Sequence, residues 1–141
     1  MMNVFVYGSL LFPEIADGLC GQKLKSENAT LNGYARFALK GADYPAIIKK
    51  DKSTVKGKVL RNLDENAIYL LTFYEGDEYG MVPVKVETNS GIINAVAFVW
   101  MAGNEFLEDF DWDEDKFESE SLAFYRDEIV PATRAEYFSR N

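Results

Sequence analysis

Histidine is absent from the 141 residues, and cysteine occurs once, at Cys20. Without histidine there is no Ser-His or Cys-His relay, and a Cys/His zinc centre is equally excluded. A single cysteine permits no internal disulfide; between Leu19 and Gly21 it reads as a small buried side chain. Proton transfer near neutral pH therefore falls to a carboxyl, tyrosine or lysine of shifted pKa, or to the substrate's own groups. Long apolar runs are missing too. Those present, such as residues 4–7, hold only a few residues, whereas a membrane helix needs about 20. No charged lead-in followed by an apolar stretch and a small-residue cleavage site opens the chain. Neither a membrane span nor export is expected, and the expected location is the cytoplasm.

Bases are scarce in one place. Residues 105–120 carry nine acids (Glu105, Glu108, Asp109, Asp111, Asp113, Glu114, Asp115, Glu118 and Glu120) against Lys116, while the rest holds 14 acids and 14 bases. The net charge of −8 repels phosphate backbones, so nucleic acid is not an expected partner. At 48% apolar and 27% charged residues the chain has globular proportions, and its length suits one domain over residues 1–141. Within it we distinguish the acidic segment, 105–120, and a C-terminal helical extension, 121–141.

Residues 4–7 (Val-Phe-Val-Tyr) read as a buried strand running into Gly8-Ser9. Pro13 suits a first helical turn, with Ile15 and Leu19 four apart. Strands are expected over residues 31–39 and 46–49, separated by Gly41 and Pro45, and over 55–59, where Val55, Gly57 and Val59 alternate with lysines. Asp64 can cap a helix over residues 65–74 that Gly76 ends. Strands follow at residues 82–86 and, after Asn89-Ser90-Gly91, at 92–100. Leu122, Tyr125 and Ile129 mark a helix closed by Pro131, with a last helical segment over 132–138. Six strand-like segments in mixed order with few helices predict an α+β domain: a mixed sheet curled into a small β-barrel with a few flanking helices.

Two places are candidates to carry chemistry, the alternative at the first being an ordinary Gly-Ser turn after a strand. The strand ending in Tyr7-Gly8-Ser9-Leu10 exposes consecutive backbone N–H groups, a nest suited to a carboxylate or an oxyanion. Glu75 continues the stripe of Ile68 and Leu71 toward the interior, at a helix C-terminus whose negative dipole end disfavours a carboxylate. Burial and dipole would both push its pKa toward the range of a general acid or base; the alternative is a helix that frays at Tyr74 and leaves Glu75 in water.

Together, FVYGSL near the N-terminus and a mid-chain helix ending in EG-x-x-Y resemble the gamma-glutamylcyclotransferase-like proteins. That superfamily includes the gamma-glutamylamine cyclotransferases and the plant avirulence-induced-gene-like proteins. The resemblance covers the order of elements from about Asn3 to Trp100. It implies that Tyr7, Gly8, Ser9 and Leu10 line a substrate pocket, that Glu75 is the catalytic acid/base, and that Tyr79 lines the pocket as well. The implied reaction is an acyl-transfer cyclisation of a small γ-glutamyl amine or γ-glutamyl amino acid, releasing 5-oxoproline and an amine. It needs no cofactor or metal, because the nucleophile is tethered to its target. Two positions depart from the family pattern: Thr72 stands where many relatives have aspartate, and Met81 where arginine is common. The resemblance names neither the released amine nor the oligomeric state.

A second reading is a catalytically silent binding or interaction protein, in its most specific form calcium-responsive. Asp109, Asp111, Asp113, Asp115 and Glu120 occupy positions 1, 3, 5, 7 and 12 of an EF-hand-like window. Against that form, Glu114 stands where the sharp turn needs glycine and Lys116 where an apolar residue is usual. The bland alternative is a solvated acidic loop anchored by Phe110, Trp112 and Phe117.

Overall fold

The first strand shows how the architecture is set. Successive side chains of a strand face opposite ways; here Phe5 and Tyr7 enter one core with Leu31, Ile47, Val59 and Ala97. Val4 and Val6 enter another with Ile15, Leu19, Ile68 and Leu71. An element apolar on both sides needs sheet neighbours at both edges and cover on both faces, which a closed barrel with helices outside it provides. The computed structural model, which describes residues 1–140, has that form; residue 141, the last of the expected helical extension, lies outside the described residues.

Five strands close the barrel: β1 (Met2–Val6), β2 (Lys25–Ala38), β3 (Pro45–Leu63), β4 (Tyr79–Thr88) and β5 (Gly91–Trp100). The order around it is β1-β3-β2-β4-β5. The pair β1 and β5 runs parallel, and the other neighbours are antiparallel. The first core fills the barrel; the second lies between its wall and the helices α1 (Pro13–Cys20) and α2 (Glu65–Glu75). Pro13 opens α1, and the Asp64 carboxylate caps α2 by accepting the Ala67 N–H at 2.9 Å. No described helix is long and apolar enough to cross a membrane.

Five strands stand where six segments were expected. Residues 46–49 and 55–59 belong to one strand, β3. The ladder jumps from Asn32–Thr54 to Tyr34–Lys49, so the polar residues 50–53 bulge opposite Gly33. Their polarity made one strand read as two.

Pro131 also departs from expectation. It does not close a helix: α4 (Leu122–Phe124) passes through a π-helical turn (Tyr125–Ile129) into α5 (Val130–Arg140). The Val130 N–H bonds back to the Tyr125 carbonyl, the wide turn of a π-bulge. Proline has no N–H to lose, and at the start of the next helical stretch it is tolerated.

The acidic segment is built onto β2. Glu108 N–H donates to the Ala38 carbonyl at 2.8 Å and Ala38 N–H to the Phe110 carbonyl at 2.9 Å. Its second half is α3 (Glu114–Glu120), capped by Asp113, so Glu114 to Glu120 form a helix, not the second half of a calcium loop. Trp112 and Phe117 are buried, whereas Phe110 is exposed and anchors nothing. Cys20 is half-buried, and burial pushes its thiol up to about 11.

Candidate active site

A cavity of about 210 Å³ opens at one end of the barrel, and Tyr7, Gly8, Ser9, Leu10, Glu75 and Tyr79 all line it. Three elements bring these residues together. The end of β1 delivers Tyr7 and passes into a 3-10 turn over Ser9–Leu11. The end of α2 delivers Glu75, and Gly76, at φ 87°, takes the chain out in a conformation that side chains rarely adopt. The start of β4 delivers Tyr79.

Gly8 owes its identity to close packing. A Cβ there would lie 2.8 Å from Cδ and 2.9 Å from Cγ of Pro45. The proline ring therefore seats against the loop, and the Pro45 carbonyl in turn accepts the Tyr79 hydroxyl at 2.8 Å. The turn bonds of the loop run from Leu11 N–H to Gly8 O and from Phe12 N–H to Ser9 O. That leaves the N–H groups of Gly8, Ser9 and Leu10 without a hydrogen-bond acceptor among the described residues.

Glu75 is the acid of the cavity, and no lysine or arginine lines the walls. Its carboxyl takes part in no hydrogen bond or ion pair among the described residues. Burial raises its pKa from the ordinary 4.5 to about 8, since removing water penalises the charged form. The neighbouring Tyr7 and Tyr79 hydroxyls are held well above the usual phenol range, chiefly by burial, with the Glu75 charge adding to it.

Sequence reasoning missed several wall residues. Tyr44, Pro45, Tyr74 and Phe98 line the cavity, as do Tyr125, Ile129 and Thr133 of the C-terminal helices. Four tyrosine hydroxyls of the wall are committed. Tyr7 donates to the Phe98 carbonyl at 2.5 Å, Tyr79 to Pro45, and Tyr125 to Asp43 Oδ1 at 2.6 Å; Tyr74 shares a proton with Ser9 Oγ at 2.7 Å. The spacing of Tyr125 and Ile129 was visible as a helical stripe, but nothing local says which surface that stripe covers. Thr72 and Met81, the two departures from the family pattern, do not line the cavity. Thr72 is exposed, with its hydroxyl on the Ile68 carbonyl, and Met81 is 41% exposed on β4.

An unpaired carboxyl and unpaired amides around one cavity rich in aromatic side chains make it a candidate small-molecule site. Among the described residues no cluster of carboxylate or cysteine groups is arranged to hold a metal. Residues 4–114 match the family described as gamma-glutamyl cyclotransferase, AIG2-like; the chain belongs to that family. Protein AIG2 C of Arabidopsis thaliana is 34% identical over 113 residues, 79% of this chain and 68% of that protein. AIG2-like protein A of the same plant is 37% identical over 101 residues, 70% of this chain and 61% of that protein. The match thus spans roughly two thirds of the length of these curated relatives. A solved structure of a gamma-glutamyl cyclotransferase superposes with a TM-score of 0.62 at 16% identity, covering 93% of this chain and 86% of that one. At that identity the likeness establishes the fold, a five-stranded closed barrel with flanking helices.

Proposed function

We propose that the chain is a cyclotransferase that converts a small γ-glutamyl amine or γ-glutamyl amino acid into 5-oxoproline and a free amine, with Glu75 as its general acid/base. The observation that carries the proposal is the unpaired Glu75 carboxyl in the cavity, raised to about 8. The α-amino group of a γ-glutamyl compound sits beside its own free α-carboxylate, so it is an ammonium near neutral pH and needs a base to become a nucleophile. A carboxyl titrating at about 8 lies near the working pH, where a group can both take up and return a proton.

The α-ammonium group yields a proton to the Glu75 carboxylate, and the freed lone pair attacks the γ-carbonyl carbon. A C–N bond forms and the carbonyl oxygen becomes negative. As the intermediate collapses, the bond to the leaving nitrogen breaks and Glu75 returns the proton to that nitrogen. The second proton shed by the ring nitrogen follows the same route, so the amine departs as ammonium. Ring closure draws on the substrate's own tether, which supplies the proximity a bimolecular reaction would lack. The unpaired amides of Gly8, Ser9 and Leu10 would serve an anionic oxygen, either the α-carboxylate or the oxyanion. Tyr7 and Tyr79 would shape the walls, their hydroxyls already spent on backbone carbonyls.

The test is 5-oxoproline release from a panel comprising γ-glutamyl-alanine, γ-glutamyl-ε-lysine, other γ-glutamyl amines and glutathione. Turnover of at least one member is expected. Silence across the panel, with binding retained, would replace the enzyme reading by a binding role for the same cavity.

A further inference from the structure

Arg36 lies on β2 and does not line the cavity, yet its Nη1 donates to the Tyr7 carbonyl at 2.7 Å. That carbonyl sits where β1 hands over to the pocket loop. The guanidinium is gripped from its other side by the acidic segment. Nε and Nη2 donate to the two carboxylate oxygens of Asp111 at 2.8 and 3.3 Å. The Trp112 ring lies against it, 5.3 Å from ring centre to guanidinium carbon, and the indole N–H is fixed on the Asp43 carbonyl at 2.8 Å. The Arg36 side chain is only 16% exposed. An ion pair to a carboxylate as open as Asp111 contributes little stability, so the arrangement is better explained by what it orients.

A trans peptide points its C=O and N–H in opposite directions. With the Tyr7 carbonyl pinned on Arg36, the Gly8 N–H is turned away from Arg36, and that N–H is one of the three without an acceptor in the protein. Gly8 has no Cβ to resist a flip of this peptide plane, so something else must hold it. A charged donor on the carbonyl also polarises the peptide and makes its N–H a stronger donor. We propose that Arg36, clamped by Asp111 and Trp112, is a positioning residue that fixes and polarises the Tyr7–Gly8 peptide so that the Gly8 N–H meets an anionic oxygen of the substrate. The acidic segment is then a brace for the pocket loop. Its kinetic consequence rests on the cyclotransferase reading; its structural consequence does not.

The experiment compares wild type with R36Q and D111A in turnover per folded molecule and in the Gly8 amide proton resonance. In R36Q, kcat/KM on the best γ-glutamyl substrate should fall about tenfold, less than the ~10²-fold of deleting an oxyanion donor outright. D111A, a change at an exposed side chain that should fold even where R36Q does not, should give a smaller loss. The double variant should be no worse than R36Q. The Gly8 amide proton should move upfield in both single variants. Unchanged kcat/KM with only a lowered Tm, or an unmoved Gly8 resonance, would overturn the proposal by reducing Arg36 to a structural role. If wild type turns over nothing, the cyclotransferase reading fails, and the Gly8 resonance alone decides whether Arg36 holds this peptide.

Discussion

Replacing Glu75 by glutamine should raise stability and sharply lower turnover together, and the two effects can be separated by pH. Burial lifts the Glu75 carboxyl from 4.5 to about 8, so the folded chain holds this proton more tightly than the unfolded chain does. At pH values below about 4.5 both states are protonated and the burial of Glu75 carries no ionisation penalty. As the pH rises the unfolded state ionises first, and stability is lost continuously until the folded carboxyl also ionises near 8. At about 1.4 kcal/mol per pH unit, the loss accumulated between the ordinary value and pH 7 is about 3 kcal/mol. Glu75 lines the cavity and is only half-buried as a residue, and solvent screening reduces this to about 2 kcal/mol.

Glutamine keeps the shape and cannot ionise, so E75Q escapes that loss. For a chain of this size about 2 kcal/mol is a Tm rise of roughly 4–8 °C at pH 7, shrinking to nothing near pH 4. Thermal unfolding of both proteins across this range, followed by circular dichroism, measures it. Turnover of the same E75Q samples should fall by at least the ~10²-fold typical of losing a general base. A Tm difference independent of pH would refute the burial argument, and near-normal turnover would refute the catalytic one.

Four further outcomes are expected. The kcat/KM profile of wild type should climb with pH as free Glu75 ionises near 8, and that limb should vanish from the residual activity of E75Q; a limb that persists belongs to the substrate's ammonium group. Gly8→Ala places a Cβ 2.8 Å from Pro45 Cδ and should destabilise by about 1–3 kcal/mol, the usual range for overpacking, with a raised KM measured on the best substrate. Tyr125→Phe removes the hydrogen bond to Asp43; it should cost about 1 kcal/mol in unfolding experiments and raise KM by loosening the wall. Calcium titrated calorimetrically at physiological salt should show no binding tighter than about micromolar, because Glu114 to Glu120 are committed to helix α3.

What was legible in the sequence was whatever a short window encodes. The buried strand, the Asp64 cap, the helix end at Gly76 and the alternation in β4 and β5 each depend on residues a few positions apart. Glu75 was legible for the same reason: its position four residues after Leu71 fixes its helix face, and the face fixes its direction. β3 was misread because its wet bulge at residues 50–53 has no alternation to see. Arg36 could not be found at all from local pattern, since its partners at Tyr7 and Asp111 are 29 and 75 positions away.

The far wall of the cavity shows where such reading stops. Tyr125, Ile129 and Thr133 reach the cavity at a spacing of four, but they do so across a π-turn that widens the helix and shifts the angular position of every later residue. Read with a regular helix and a terminating proline, the segment divides at Pro131 and Thr133 has no reason to share a face with Tyr125. With the turn widened, the helix continues through Pro131 and stays against α1, where Arg134 donates to the Leu19 carbonyl. The family match ends at residue 114, so this wall lies outside the matched region while the loop and the acid lie inside it. The proposed proton-moving residue is therefore set by α2 and the unpaired amides by the loop after β1, while part of the cavity wall comes from the C-terminal helices. Under the proposed cyclotransferase reading, contacts to the leaving amine would fall to Tyr125, Ile129 and Thr133, not to Thr72 or Met81, which do not line the cavity.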